Sequence, residues 1–111
     1  MALTQVGKFS LQQKGAYVAR TQFKYMDDNG RWLMSAQSGN ELAGQDYEID
    51  PGDLNVPDGA IVSYYLWVMA GYDVDGQKSF TYVKGKPNTA VYKSSGVTVA
   101  PHLELVQVGT A

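Results

Sequence analysis

Residues 60–71 read AIVSYYLWVMAG and form the longest nearly uncharged stretch of the chain. The stretch is shorter than the about 20 apolar residues that a membrane-spanning helix needs. Its β-branched and aromatic residues, which follow the turn-forming sequence Pro57-Asp58-Gly59, favour a strand over a buried helix. We therefore interpret residues 60–71 as a central strand of a sheet.

The two-residue period of a strand divides this stretch into two faces. One face carries Val62, Tyr64, Leu66 and Val68. The other face carries Ser63, Tyr65, Trp67 and Met69. Both faces are largely apolar, whereas a strand on the open surface of a sheet shows one polar face. We expect this strand either to be covered on both faces or to line the binding site of a partner.

Short runs of alternating apolar and polar residues, separated by turn-forming sequences, recur on both sides of the central strand. This pattern predicts an all-β fold: a two-sheet antiparallel β-sandwich, in jelly-roll or immunoglobulin-like order, with about eight short strands and no helix. The length of 111 residues fits one domain spanning residues 1–111. The other predicted strands are residues 5–13, 16–26, 31–36, 44–49, 78–84, 90–93, 96–100 and 102–108.

Two turns are predicted most directly from their residues. The sequence Asp27-Asp28-Asn29-Gly30 separates the second and third predicted strands, and Asn-Gly tolerates positive φ at both central positions of a type I′ turn. We therefore expect an antiparallel hairpin there. Residues 72–77, YDVDGQ, are interpreted as a second turn.

The composition excludes several functional classes. The net charge is −2 without a cluster of lysine or arginine, which argues against a nucleic-acid partner. The chain has no cysteine and a single histidine, His102, so it lacks a thiol nucleophile and a zinc site of the His and Cys type. We expect no enzymatic activity, no cofactor and no metal, with His102 an exposed or edge residue.

Two further features bear on location and on calcium. The N-terminus lacks a basic segment followed by an apolar one, so the protein is expected either in the cytoplasm or exported without a visible signal peptide. No transmembrane segment is expected. Asp73 and Asp75 match part of a calcium-binding loop, but the third ligand and the distal glutamate are missing, which favours an ordinary turn.

Aromatic residues are the strongest remaining signal, with eight tyrosines, two tryptophans and three phenylalanines. Those beside Asp- and Asn-rich turns could stack on sugar rings while neighbouring carboxylates bind hydroxyls. The alternative is that the tyrosines pack across strands within the sandwich. The predicted ligand-binding residues are Trp32, Tyr47, Tyr72, Asp73, Asp75 and Tyr92.

In overall layout, the short cysteine-free strands of this chain are similar to small β-sandwiches of microbial lectins and of aegerolysin-like or actinoporin-like lipid-binding proteins. The resemblance implies a non-enzymatic binding module. The leading hypothesis is lectin-like glycan recognition. The alternatives are a protein that binds lipid headgroups at a membrane surface, and a structural protein that self-assembles as a homo-oligomer through its edge strands or through its half-apolar central strand.

Overall fold

Nine β-strands and one short 3₁₀ turn make up the part of the chain that the computed structural model describes, residues 3–110. Strand accounts for 59% of the structure, and the predicted all-β sandwich is confirmed. The 3₁₀ turn covers Pro51–Leu54. The strands are β1 (Gln5–Val6), β2 (Lys8–Gln13), β3 (Ala19–Met26), β4 (Trp32–Met34), β5 (Gln45–Ile49), β6 (Ile61–Val68), β7 (Val74–Tyr82), β8 (Asn88–Val97) and β9 (Ala100–Thr110).

The strands form a five-stranded sheet of order β1-β7-β6-β3-β4 and a four-stranded sheet of order β5-β2-β8-β9. The prediction of wholly antiparallel sheets was wrong, because β1 pairs with β7 and β2 pairs with β8 in parallel. The cause lies at Gly7, where residues 5–13 divide into two strands that belong to different sheets. The Gly7 N–H donates to the carbonyl of Asn88 (2.9 Å) at this crossing. Each half thereby lies beside a strand that runs in its own direction.

The core lies between the two sheets and is centred on β6. Val62, Tyr64 and Leu66 are fully buried there, as the alternation of the central stretch predicts. Aromatic rings from both sheets meet in this core: the Phe9 ring lies 4.8 Å from that of Phe23, and further contacts join Phe9 to Tyr64. Offset and tilted ring pairs of this kind stabilise a fold beyond the area they bury.

Within residues 3–110 no further layer covers the opposite face of β6. Of the two expectations for this strand, coverage on both faces was therefore wrong, and lining the site of a partner stays a prediction. Ser63 is buried, but Tyr65 and Trp67 are only half-buried and Met69, just beyond the strand, is exposed. The guanidinium of Arg20 lies over the Trp67 ring, 4.9 Å from its centroid. The aliphatic stem and planar head of this arginine therefore shield an indole that the sheet itself leaves open.

The predicted hairpin between β3 and β4 is present, but its turn is not type I′. Gly30 alone has positive φ (77°), and its N–H donates to the carbonyl of Asp27 (3.0 Å). This is the geometry of a type I turn followed by a glycine in the left-handed region. The Asp27 carboxylate explains the choice, because its Oδ1 accepts from the backbone N–H groups of Asn29 and Arg31, both at 2.9 Å.

Two boundaries near the C-terminal half also differ from the predictions. Residues 90–93 and 96–100 are not two strands: β8 runs unbroken through Ser94, whose hydroxyl donates to the buried Gln13 side chain (2.9 Å), and the chain turns at residues 98–99. Residues 72–77 are not wholly a turn, because β7 begins at Val74. The polar residues that favoured a turn instead form a bulge within β7, where Gln77 has a φ of 63°.

Candidate functional site

Two hairpin loops lie side by side at one end of the sandwich. The loop from β6 to β7 contacts the loop from β8 to β9 through the N–H of Tyr72, which donates to the carbonyl of Thr98 (3.0 Å). Gly71 allows this approach, because a Cβ at that position would lie 2.3 Å from the Thr98 carbonyl oxygen. We call residues 69–72 and 97–99 the tip.

The tip is apolar and exposed. The exposed fractions are 37% for Met69, 67% for Tyr72, 48% for Val97 and 70% for Val99. No residue of the tip carries a charge. Tyr72 and Val99, together with Trp67 just below them, line a shallow groove. Tyr72 and Val99 thus meet at this groove from loops of the two sheets, and Met69 and Val97 add exposed apolar surface to the same loops.

Asp73 anchors the base of the tip. Its Oδ1 accepts from the backbone N–H of Val68 (3.0 Å), and its Oδ2 accepts from the hydroxyl of Tyr65 (2.9 Å). Partial burial and the nearby Asp73 carboxylate raise the pKa of Tyr65 to about 12, so this hydroxyl remains a hydrogen-bond donor at neutral pH. Both oxygens of Asp73 therefore hold the loop in place.

Asp75 is also engaged within the chain. Its Oδ2 lies 2.6 Å from the Nζ of Lys24, and its Oδ1 accepts from the backbone N–H of Gln77 (2.8 Å). Burial raises the pKa of the Asp75 carboxyl, but the hydrogen bonds from Lys24 and Gln77 outweigh burial, and the net effect is a lowered pKa. Asp75 is an ionised partner of Lys24 on the outer face of the five-stranded sheet.

Arg20 and Trp67 form a collar beneath the tip on the same outer face. Besides lying over the indole, Arg20 donates from Nε to the side-chain oxygen of Asn40 (2.8 Å) and from Nη1 to that of Gln37 (3.2 Å). Arg20 pairs with Trp67 across β3 and β6, one residue below the pairing of Ala19 with Val68 that closes this end of the sheet. A fixed cation and an amphipathic ring thus border the apolar surface.

The six predicted ligand-binding residues do not form one site. Tyr72 and Asp73 lie at the tip, and Asp75 lies further along β7. Trp32 is exposed on β4, at the edge of the five-stranded sheet, and the hydroxyl of Tyr47 accepts from the Leu42 N–H (2.7 Å) at an edge of the other sheet.

Tyr92 cannot bind a ligand from solution, and its assignment to the site was wrong. It is 1% exposed, and its ring stacks on that of Tyr64 with the centroids 4.7 Å apart. This is the cross-strand packing that the sequence left open as the alternative for the tyrosines. The strand break that was predicted just after residue 93 does not exist, because β8 continues past it.

Three residues of the tip were missed by the sequence analysis: Met69, Val97 and Val99. Residues 96–100 were interpreted as a strand, and Met69 as part of the central strand, so their apolar character was attributed to burial. The turn itself consists of residues 98–99, Thr-Val, where turns normally carry Gly, Asn, Asp or Ser, and this unusual composition was the available signal.

Neither a metal site nor a membrane-crossing helix is present in residues 3–110. These residues contain no group of three or more histidine, aspartate or glutamate side chains placed to hold a metal ion. No helix within the same range has the length and apolar character to cross a membrane. His102 is exposed on β9, an edge strand, as expected.

No protein-family model matches the chain, and no curated protein matches it. Among solved structures it is similar to wild-type pneumolysin, with 16% identity and a TM-score of 0.50 over 95% of this chain and 23% of that one. A membrane-binding domain of pneumolysin matches with 16% identity and a TM-score of 0.48 over 95% of this chain and 98% of that one. Listeriolysin O matches with 18% identity and a TM-score of 0.48 over 90% and 22%. The chain spans less than a quarter of the full-length chains, and the likeness to wild-type pneumolysin shows a shared fold.

Proposed function

We propose that this chain is a non-enzymatic module that binds a membrane surface by placing the tip among the lipids. The observation that carries the proposal is the tip itself, where exposed apolar side chains from two loops form an uncharged surface. Contiguous exposed apolar patches on soluble proteins mark interaction sites. Membrane binding is the role named for the pneumolysin domain of similar fold, and we extend it to this chain because of the tip's own residues.

The size of the tip fits reversible binding. Full burial of one large aliphatic or aromatic side chain contributes roughly 1.5–3 kcal/mol. The four exposed side chains of the tip have about half of their surface available, so they contribute roughly 3–6 kcal/mol on insertion. A single myristoyl chain gives an association constant of about 10⁴ M⁻¹, which is marginal on its own, and the tip belongs to the same range.

The charges around the tip favour neutral lipid. Arg20 is the cation that borders it, and Asp73 is the nearest anion, while the tip itself carries no charge. Anionic membranes are recognised by clusters of lysine and arginine, which the chain lacks. The collar of Arg20 and Trp67 has the composition of an interfacial anchor, since indoles and long cationic side chains both favour the headgroup region. We therefore propose zwitterionic lipid as the ligand.

The two tryptophans provide the test. Trp67 borders the tip, whereas Trp32 lies on β4 opposite Met26, at the far end of the sheet. Phosphatidylcholine vesicles, vesicles with added phosphatidylserine and vesicles of a total lipid extract are titrated into the protein. We expect a blue shift in Trp32→Phe, which retains Trp67, and none in Trp67→Phe. Equal shifts in the two variants would place the lipid contact elsewhere.

A matched pair of charge substitutions tests the binding itself. Val99→Asp introduces a charge at the tip, while Val106→Asp introduces the same charge at an exposed residue of β9. In vesicle flotation we expect Val99→Asp to reduce binding at least tenfold and Val106→Asp to bind like the parent protein. Absence of the parent protein from every lipid fraction would refute the proposal.

The glycan hypothesis remains a prediction. Of its residues, only Tyr72 and Asp73 lie together, and Asp73 uses both carboxylate oxygens within the chain. No geometric feature of the described residues favours sugar over lipid at the tip.

A further inference from the structure

The four edge strands of the sandwich differ in how they are protected against pairing with another chain. β1 has only two residues, β5 carries Asp46 and Glu48, and β9 carries His102 and Glu104. Short length and charged side chains are the usual means by which proteins block strand addition at an edge. The fourth edge, β4, is short, with three residues, but all three are apolar and none carries a charge.

All three side chains of β4 are apolar and exposed. The exposed fractions are 47% for Trp32, 39% for Leu33 and 45% for Met34. Trp32 lies at the end of β4 that is remote from the tip. The exposure of β4 therefore has no role in the membrane binding proposed above.

The backbone of β4 presents unused hydrogen-bonding groups. The carbonyl of Arg31 accepts from Asp27 (2.9 Å), and the N–H of Ser35 donates to Phe23 (2.8 Å), so both residues face β3. Because successive residues of an antiparallel strand alternate in direction, Trp32 and Met34 point their N–H and carbonyl groups away from the sheet. Within residues 3–110 these groups have no backbone partner across that edge.

We propose that β4 pairs with β4 of a second copy of this chain, antiparallel and about a two-fold axis that passes through Leu33. In this register, Trp32 lies opposite Met34 of the second copy, and each of the two pairs exchanges two backbone hydrogen bonds. Leu33 lies opposite Leu33 of the second copy, as a pair without mutual backbone bonds, where side chains approach most closely. The two strands are self-complementary, as a two-fold interface requires.

The charges agree with this occupant and register. Arg31, the cation next to β4, lies opposite Ser35 of the second copy, so like charges do not face each other across the strands. Lys24 lies beside the edge, with its Nζ 5.9 Å from the Trp32 ring, and its charge is balanced by Asp75. The pairing also brings the sulfur of Met34 to the indole of the second copy, a favourable contact.

The length of the free edge sets the strength of the dimer. The N–H of Ala36 donates to the carbonyl of Leu54 (3.1 Å), so the open edge ends just after β4. Such a short pairing buries less accessible surface than stable interfaces do, which typically bury about 1,200 Å² or more. We therefore expect a weak, reversible dimer.

Sedimentation velocity in lipid-free buffer, from 10 µM to 1 mM, tests the dimer independently of membrane binding. We expect Leu33→Lys to remain monomeric, because two introduced lysines would face each other across the axis. Val106→Lys, which places the same charge on β9, is the matched control and should dimerise like the parent protein. A concentration-independent monomer for the parent protein, or a dimer that Leu33→Lys leaves intact, would overturn the proposal.

Charge exchange tests the register. Leu33→Glu alone should also be monomeric, whereas an equimolar mixture of Leu33→Lys and Leu33→Glu should regain a dimer, because opposite charges then meet. Failure of the mixture to associate would refute pairing at Leu33. As a second test, Met34→Pro removes an N–H that the monomer does not use, and it should abolish the dimer while the unfolding midpoint changes little. Retention of the dimer in Met34→Pro would equally refute the proposal.

Discussion

Glu41 is the most unusual charged residue of the fold, and its replacement by glutamine should change how stability depends on pH. Glu41 is 2% exposed, and its backbone exchanges hydrogen bonds with Ala19 at the end of β3. Its Oε1 accepts from the Thr21 hydroxyl (2.8 Å), and that hydroxyl lies 2.6 Å from the Tyr64 hydroxyl. Its Oε2 has no hydrogen-bond partner among residues 3–110. A buried carboxylate without a cation is costly, so protonation is favoured in the folded state.

Burial is the dominant cause that raises the pKa of Glu41 from 4.5 to about 7, and the hydrogen bond from Thr21 offsets only part of it. The folded protein therefore holds this proton more tightly than the unfolded chain. The associated stability is complete below pH 4.5 and is lost as the pH rises to about 7 and beyond. At about 1.4 kcal/mol for each pKa unit, the loss between acid and slightly alkaline pH is about 3 kcal/mol.

The measurement is the free energy of unfolding in urea at pH 4.5 and pH 8, followed by tryptophan fluorescence. Glu41→Gln carries no charge at either pH, so it lacks the loss of stability that Glu41 causes on going from pH 4.5 to pH 8. The change in its free energy of unfolding between these pH values should therefore be more favourable by about 3 kcal/mol than the change in the parent protein. Glu104→Gln, at an exposed carboxylate on β9, is the control and should keep the parent dependence. Equal pH dependences for Glu41→Gln and the parent protein would refute a buried, protonated Glu41.

Three further predictions concern the core, the tip and the dimer. Phe9→Ala removes a ring that contacts four other aromatic rings, and it should lower the free energy of unfolding by about 3–5 kcal/mol, measured in urea; a loss below 1 kcal/mol would contradict its central place. Gly71→Ala introduces a Cβ against the Thr98 carbonyl and should separate the two loops, which increased amide hydrogen exchange at Tyr72 would reveal; unchanged exchange would contradict the close contact. Because β4 runs towards the tip, the antiparallel dimer carries its tips at opposite ends, so the parent protein should cluster vesicles in a light-scattering assay and Leu33→Lys should bind them without clustering. If Leu33→Lys also clustered vesicles, the clustering could not be attributed to the dimer.

The sequence predicted the fold class because the alternation of apolar residues is a local property that burial imposes on every strand. Val62, Tyr64 and Leu66 were correctly placed on one face by period alone. The change of sheet at Gly7 could not be predicted in this way. The alternation continues through residues 5–13, and only the pairing with β7 and β8, remote in sequence, shows that two strands are present.

The candidate site was less predictable, because similar residues have different environments in strands and in turns. Tyr92 and Tyr72 were both assigned to loop ends, yet β8 carries Tyr92 into the core and the β6–β7 loop leaves Tyr72 exposed. Valine is ambiguous for the same reason: Val62 is buried within a strand, while Val99 is exposed in a turn. The turn between β8 and β9 projects beyond both sheets, so the Val99 side chain is exposed despite its hydrophobicity.

The two ends of the sandwich show what this distinction means for function. The turn after β3 contains Asp27 and Asp28, and it borders a groove that also includes Asp58. Acidic turns are hydrated and need no partner. The tip, at the other end of the same strands, carries Tyr72 and Val99 instead of acidic residues. Exposure of these apolar side chains to water does not stabilise the isolated protein. The two ends of the sandwich therefore differ, one being acidic and the other apolar. A lipid surface that covers the tip would leave the acidic end in water. The fold does not require the apolar composition of the tip, and the proposed contact with lipid accounts for it.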